Sequence, residues 1–142
     1  MSIVHTEITL RNALDAGNAR AGNVDEDAVR KTTVQAVVDT GAWTLVINEN
    51  IREKLGLEIL RTESGTLADG TKSGYNLAGP LEVIWKDRST ICEAIVLPTA
   101  REILLGAIPL EAMDLTVNPR LEEVVGAHGD QIMHLICTYY GY

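Results

Sequence analysis

Val37-Val38-Asp39-Thr40-Gly41-Ala42 is the stretch on which the reading of the chain turns. Its two valines close an apolar, β-branched run over residues 29–38, so it reads as a strand anchored in a core. That strand delivers a carboxylate, Asp39, onto a sharp turn where the side chain can face a cleft. Thr40 adds a hydroxyl that can hold the loop. Gly41 lets the backbone approach the carboxylate and donate its N–H. Alone, Asp-Thr-Gly also suits a strand-ending turn with a solvated Asp. The surroundings raise it: an apolar lead-in, Ala42 behind it, and a second apolar-apolar-Gly run at Leu104-Leu105-Gly106.

Working outward, residues 3–10 alternate between apolar and polar and read as a strand with one buried face. Residues 12–23 are rich in Ala, Asn, Gly and Asp and read as a loop. Residues 43–47 read as a strand. Asn48 as N-cap and Gly56 as C-terminal stop bound a short helix that buries Ile51 and Leu55. Residues 58–68 and 71–85 read as two strands joined by a two-residue turn at Asp69-Gly70. Residues 81–85 and 90–97 pair across Lys86-Asp87-Arg88-Ser89. Ile103-Leu104-Leu105 has the look of a short buried strand, residues 109–113 of one helical turn or two, and residues 117–125 of a hairpin around Asn118-Pro119. The sum is a mostly β fold of short strands with one or two short α-helices.

The 142 residues are 46% hydrophobic and 23% charged, which suits a single domain over 1–142, with residues 127–142 as a possible extension. Phe is absent, so the core must be mainly aliphatic. A net charge of −8 with no basic stripe argues against nucleic acid and against an anionic membrane surface. There is no apolar run of membrane-spanning length. The start lacks the basic-then-apolar layout of a signal peptide. Cys92 and Cys137 make no disulfide framework, so the expected compartment is the reducing cytoplasm.

The order and spacing of these pieces resemble the retropepsin-like aspartic proteases, in particular their small single-domain prokaryotic members. The resemblance covers most of the chain. It runs through Leu10-Arg11-Asn12, the Asp39 motif, Leu45-Val46-Ile47, Lys54-Leu55-Gly56-Leu57 and Leu67-Ala68-Asp69-Gly70-Thr71. It continues through Ala94-Ile95-Val96-Leu97-Pro98, residues 103–111 and Met113-Asp114-Leu115-Thr116-Val117-Asn118-Pro119. It implies a closed β barrel with a flap hairpin, and no cofactor or metal. Asp39 would be the catalytic carboxylate, Thr40 a hydroxyl interlock between protomers, and Gly41 and Ala42 the support of the active loop. Leu105 and Gly106 would pack under that loop, and Asp69, Gly70 and Thr71 would form the flap. The segment 14–27 and the tail after Gly126 extend beyond the minimal retroviral protomer, and the flap tip is less Gly-rich.

Aspartic proteolysis needs two carboxylates sharing one proton. The chain holds no second Asp-Thr-Gly or Asp-Ser-Gly, so Asp39 is expected to pair with its copy across a two-fold axis. The expected partners are a second protomer and an extended peptide or protein substrate that adds to the flap strands. Each protomer adds −8, which favours retention of the shared proton and an acidic to weakly acidic optimum. The alternative is a non-catalytic dimerisation or peptide-binding module of the same fold.

Other residues read more plainly. His128, His134 and Cys137 have no zinc-ligand spacing and read as surface or packed tail residues. Cys92, in an apolar strand, reads as a small buried hydrophobe. Trp43 reads as core or interface packing, with a substrate subsite as the other reading. Trp85 reads as core-edge packing, and Asp69 as a substrate contact or a plain turn residue. Ser64, Ser73 and Ser89 have no His-Asp context, and no phosphate-binding Gly-rich motif is present. The tyrosines 139, 140 and 142 read as a staple to a partner or as a frayed end.

Overall fold

A computed structural model describes residues 3–137 and 139; Tyr140 and Tyr142 lie outside the described residues. The main sheet is built from β1 (His5–Asn12), β2 (Lys31–Val38), β3 (Leu45–Ile47), β4 (Glu58–Thr66), β5 (Lys72–Trp85), β6 (Arg88–Val96) and β7 (Ile103–Leu105). Their order is β1-β2-β7-β3-β6-β5-β4, with a further β1–β5 pairing. That pairing, Leu10 opposite Val83, joins the two ends of the series, so six strands form a closed ring. β4 hangs on β5 alone as the outer arm of a long hairpin. A second, two-stranded sheet holds β8 (Leu115–Asn118) and β9 (Glu123–Gly126).

Alternation explains the ring. In β1, Ile8 and Leu10 point inward and are 1% and 0% exposed, while their neighbours stay wetter. The short β3 and β7 have no polar face to spare and are buried nearly throughout. The core is aliphatic, with Leu45, Ile47, Leu55, Leu81, Leu105 and Met113 fully enclosed. Each such side chain contributes roughly 1.5–3 kcal/mol on leaving water. Trp85 is the aromatic in this core, at its edge, and its Nε1 donates to Thr6 Oγ1 at 2.9 Å.

Three short α-helices punctuate the strands: α1 (Ala13–Arg20), α2 (Glu49–Leu55) and α3 (Ala107–Ala112). α2 is the expected helix, with Asn48 Oδ1 accepting from Ile51 N and Gly56 in the left-handed conformation that ends it. α1 corrects the loop read over residues 12–23. Asn12 is its N-cap: Oδ1 accepts from Asp15 N at 3.0 Å, while Nδ2 donates to Leu55 O at 2.9 Å. Ala13 and Ala16 are the residues this helix buries, a stripe too small to register as apolar periodicity. Asp15 also pairs with Arg30, which draws its carboxyl below the usual range. Among the described residues no helix is long and apolar enough to cross a membrane.

The turn expected over residues 86–89 is two residues, Lys86-Asp87, and Arg88, the first residue of β6, is a buried cation. Arg88 is 3% exposed, and its guanidinium donates to the carbonyls of Met113, Asp114 and Gly129. It thereby ties the end of the β5–β6 hairpin to the chain beyond α3. The segment after β9 is held by side chains rather than a ladder. His128 Nδ1 donates to Asp114 Oδ2 at 2.7 Å, and His134 Nε2 to Glu111 O at 3.1 Å. Among the described residues no three His, Cys, Asp or Glu side chains gather as a metal site.

Candidate active site

β2 and β7 run parallel at the centre of the ring, with Val37 opposite Leu104 and Val38 opposite Leu105. Asp39 is the first residue past this pairing, and its N–H still donates to Leu105 O at 3.0 Å. The chain then turns sharply. Ala42 N donates to Asp39 O at 3.1 Å, and Gly41 N donates to Asp39 Oδ1 at 2.9 Å. The second bond holds the half-buried carboxylate by its own loop. A side chain at residue 41 would put its Cβ 3.1 Å from that same oxygen, which is why a glycine suits the position.

The far side of the loop rests on α3. Ala107 N donates to Ala42 O at 2.8 Å and Ile108 N to Trp43 O at 2.9 Å. Thr44, 1% exposed, sends its hydroxyl to Glu93 O at 2.7 Å on β6. Gly106 lies directly beneath. A Cβ there would sit 2.2 Å from Thr44 O and 2.5 Å from Ala42 O, so no other residue fits without moving the loop. Leu105, fully buried, anchors the strand that carries it. Thr40 is exposed, beside a groove formed with Ala107, Leu110, Leu115 and Thr116.

Across from the loop stands the β4–β5 hairpin. Its tip is a three-residue loop rather than the two-residue turn read from Asp69-Gly70. Leu67 N donates to Thr71 O at 2.7 Å, Gly70 N donates to Leu67 O at 2.9 Å, and Gly70 sits at φ 86°. That is a type I turn followed by a left-handed glycine, which suits hairpins one residue longer. Asp69 Oδ1 accepts from Thr71 N at 2.8 Å, and bonding to Thr71 holds its carboxyl below the usual range.

Between loop and hairpin lies a cavity of about 290 Å³. Gly41, Ala42 and Trp43 form one wall, and Val46, Ile95 and Leu97 the floor. The hairpin contributes residues 65–66 and 73–75 of its shaft and Leu67 at the base of its tip. Asp69, Gly70 and Thr71 are therefore gathered at the tip, while the cavity is bounded by the shaft. Asp39 itself stands beside the cavity, two residues from its nearest lining residue, Gly41. Trp43, with a substrate subsite as its second reading from the sequence, lines this cavity; Gly65 and Tyr75 line it with no signal in the sequence that pointed to them. Trp43 is 40% exposed, which removes core packing as its role in the protomer. Cys92 is partly buried, and burial pushes its thiol up to about 11.

A family model described as aspartyl protease matches residues 22–108. No curated protein matches the chain. Among solved structures, a retropepsin-like aspartic protease from Rickettsia conorii is similar over 74% of this chain and 78% of that chain. The identity is 20% and the TM-score 0.38. The family match spans more than half of the 142 residues and includes Asp39-Thr40-Gly41 together with both strands that hold it; the chain belongs to the aspartyl protease family.

Proposed function

We propose that the protein is an aspartic endopeptidase that works as a homodimer, with Asp39 of each copy forming the reacting pair. One observation carries this reading. The chain has a single Asp-Thr-Gly, and its carboxylate stands on a loop locked from below by Gly106 and from the side by α3. A two-fold axis beside exposed Thr40 brings the two carboxylates to about 3 Å, where only one of them ionises. The ionised member takes a proton from water as the water oxygen attacks the peptide carbonyl carbon. The protonated member donates to the carbonyl oxygen. Collapse breaks the C–N bond: the leaving nitrogen takes a proton from one carboxyl while a hydroxyl of the diol returns one to the other, so the pair again holds one proton and a carboxylic acid is released.

The substrate is an extended peptide lying under the β4–β5 hairpin, which serves as the flap. The two free cysteines, Cys92 and Cys137, favour a reducing compartment, the cytoplasm. The test is a peptide-library digest read by mass spectrometry from about pH 3.5 to 7.5, at several protomer concentrations. Cleavage is expected on the acidic side and to rise faster than linearly with concentration. Asp39→Asn is expected to keep the dimer and lose at least ~10²-fold in rate. Equal cleavage by Asp39→Asn sinks the reading. No cleavage by a folded wild-type dimer leaves the peptide-binding or dimerisation module instead.

A further inference from the structure

The loop that carries Asp39 leans on α3, whose first two residues, Ala107 and Ile108, donate to Ala42 O and Trp43 O. A helix of six residues has little stability of its own and needs its ends held. Among the described residues no side chain caps its start, and no basic residue stands in its last turn. The carbonyls at its end are met from elsewhere in the chain. Arg88 Nη1 donates to Met113 O at 2.9 Å and to Asp114 O at 2.8 Å. His134, in the segment after β9, donates from Nε2 to Glu111 O at 3.1 Å. That segment is pinned on one residue, Asp114, which stands just past α3 with φ 53°. Its carboxylate accepts from His128 Nδ1 at 2.7 Å and from Met133 N at 3.1 Å. Its carbonyl also accepts from Ala127 N at 2.8 Å. Bonding to His128 first, and to Met133 second, holds the Asp114 carboxyl below the usual range. The charged residues around these groups are Arg88 from β6, Glu111 from α3, Glu123 from β9 and Asp130 from the segment itself, with Lys86 and Asp87 from the β5–β6 turn.

We infer that residues 127–134 are a pH-dependent brace: latched on Asp114 and Glu111 by two histidines, they steady α3 and, through it, the Ala42–Trp43 side of the active loop. Each histidine faces an acceptor, a carboxylate oxygen for His128 and a backbone carbonyl for His134. A neutral imidazole donates from one nitrogen only, so each bond then depends on a single tautomer. A protonated ring donates from both, and in His128 it adds an ion pair with Asp114. Acid acts on the other partner. A carboxyl lowered on folding stabilises above its unfolded value and ceases to as pH falls through the folded one. The latch is therefore tightest where a carboxylate is ionised and a histidine is charged, roughly pH 4 to 6. That is the acidic side on which the peptidase reading puts cleavage, but the brace does not depend on that reading.

Amide exchange followed by NMR from about pH 3 to 8 tests this. Protection of Met133, Ala107 and Ile108 is expected to rise roughly threefold or more from about pH 8 to 6, and to fall again below about pH 4. The Asp39 amide, bonded to Leu105 O in β7 rather than to α3, is expected to hold throughout. Paired His128→Gln and His134→Gln keep an amide donor at each place without a charge, and should flatten the profile above about pH 5. Asp114→Asn suits the same left-handed backbone and removes the anion, so it should flatten the profile at both ends with the fold intact by circular dichroism. Protection at Met133 that ignores pH overturns the latch. A pH-dependent Met133 with Ala107 and Ile108 unmoved overturns the brace. Loss at Asp39 in step with Ala107 means a general loosening and overturns it too. None of these readings needs cleavage, so an inactive protein leaves the brace standing and a failed brace leaves the peptidase.

Discussion

The active loop at residues 39–44 is bonded to β7, α3 and β6, whereas the flap tip at residues 67–71 makes its described bonds within its own hairpin. Both are short turns that need a glycine, but for different reasons. Gly106 is required by backbone pressing on it from outside, and Gly70 by its own left-handed φ, with nothing within 4 Å of where a Cβ would be. One turn is fixed by its surroundings and the other by local chemistry alone. A reacting group has to be held within fractions of an ångström. A covering arm has to open, and segments with few tertiary bonds do so at low free-energy cost.

Gly106→Ala attacks the fixed turn and should have the largest effect. The new methyl meets two backbone carbonyls, which yield only if the loop moves. A loss of about 1–3 kcal/mol in urea unfolding is expected, with loss of any cleavage. An unchanged midpoint would show that the loop does not rest on this glycine. Thr44→Val comes next. It keeps the shape but leaves Glu93 O without its buried donor, a cost of about 1 kcal/mol read by the same titration.

The smallest effect belongs to the flap, and it depends on pH. Thr71 holds the Asp69 carboxyl below its ordinary value. A carboxyl lowered on folding stabilises the turn above the unfolded value and ceases to as pH falls through the folded one. Amide protection at Leu67 and Thr71 should therefore drop between about pH 5 and 3, while protection at the Asp39 amide holds. Asp69→Asn should remove that dependence. A parallel loss at Asp39 would mean that loop and flap tip are not separately held.

The same contrast governs what was legible in the sequence. The loop could be read because its causes are local in the chain: valines, a carboxylate and a small turn, with a second apolar-apolar-Gly run to match. α1 could not, because its cap, Asn12, is made useful by Leu55 O, far along the chain, and its buried face is only alanine. Arg88 looked like a turn residue, since the carbonyls that receive it lie 25 to 41 residues away. The tip was misread by one residue because Asp-Gly serves both two- and three-residue loops. The packing of the Tyr75 ring over Gly65, 2.7 Å from where a Cβ would be, depends on cross-strand register, which no single stretch displays.

Ring closure also decides where this sheet can go wrong. Among the described residues, six strands have neighbours on both sides, whereas β4 has β5 alone and its whole outer edge is open. An open edge is a template for unwanted strand addition from another chain, the first step of aggregation. β4 carries the usual guards: a register shift between Ile59 and Arg61 that disrupts a flat ladder, and the charges of Glu58, Arg61 and Glu63. Arg61 is in turn tied to Glu93 by two bonds, at 2.6 and 2.8 Å, reaching across β5. Because β4 is also the outer arm of the hairpin proposed as the flap, the same guards leave that arm free to move without offering a flat edge to a stray strand.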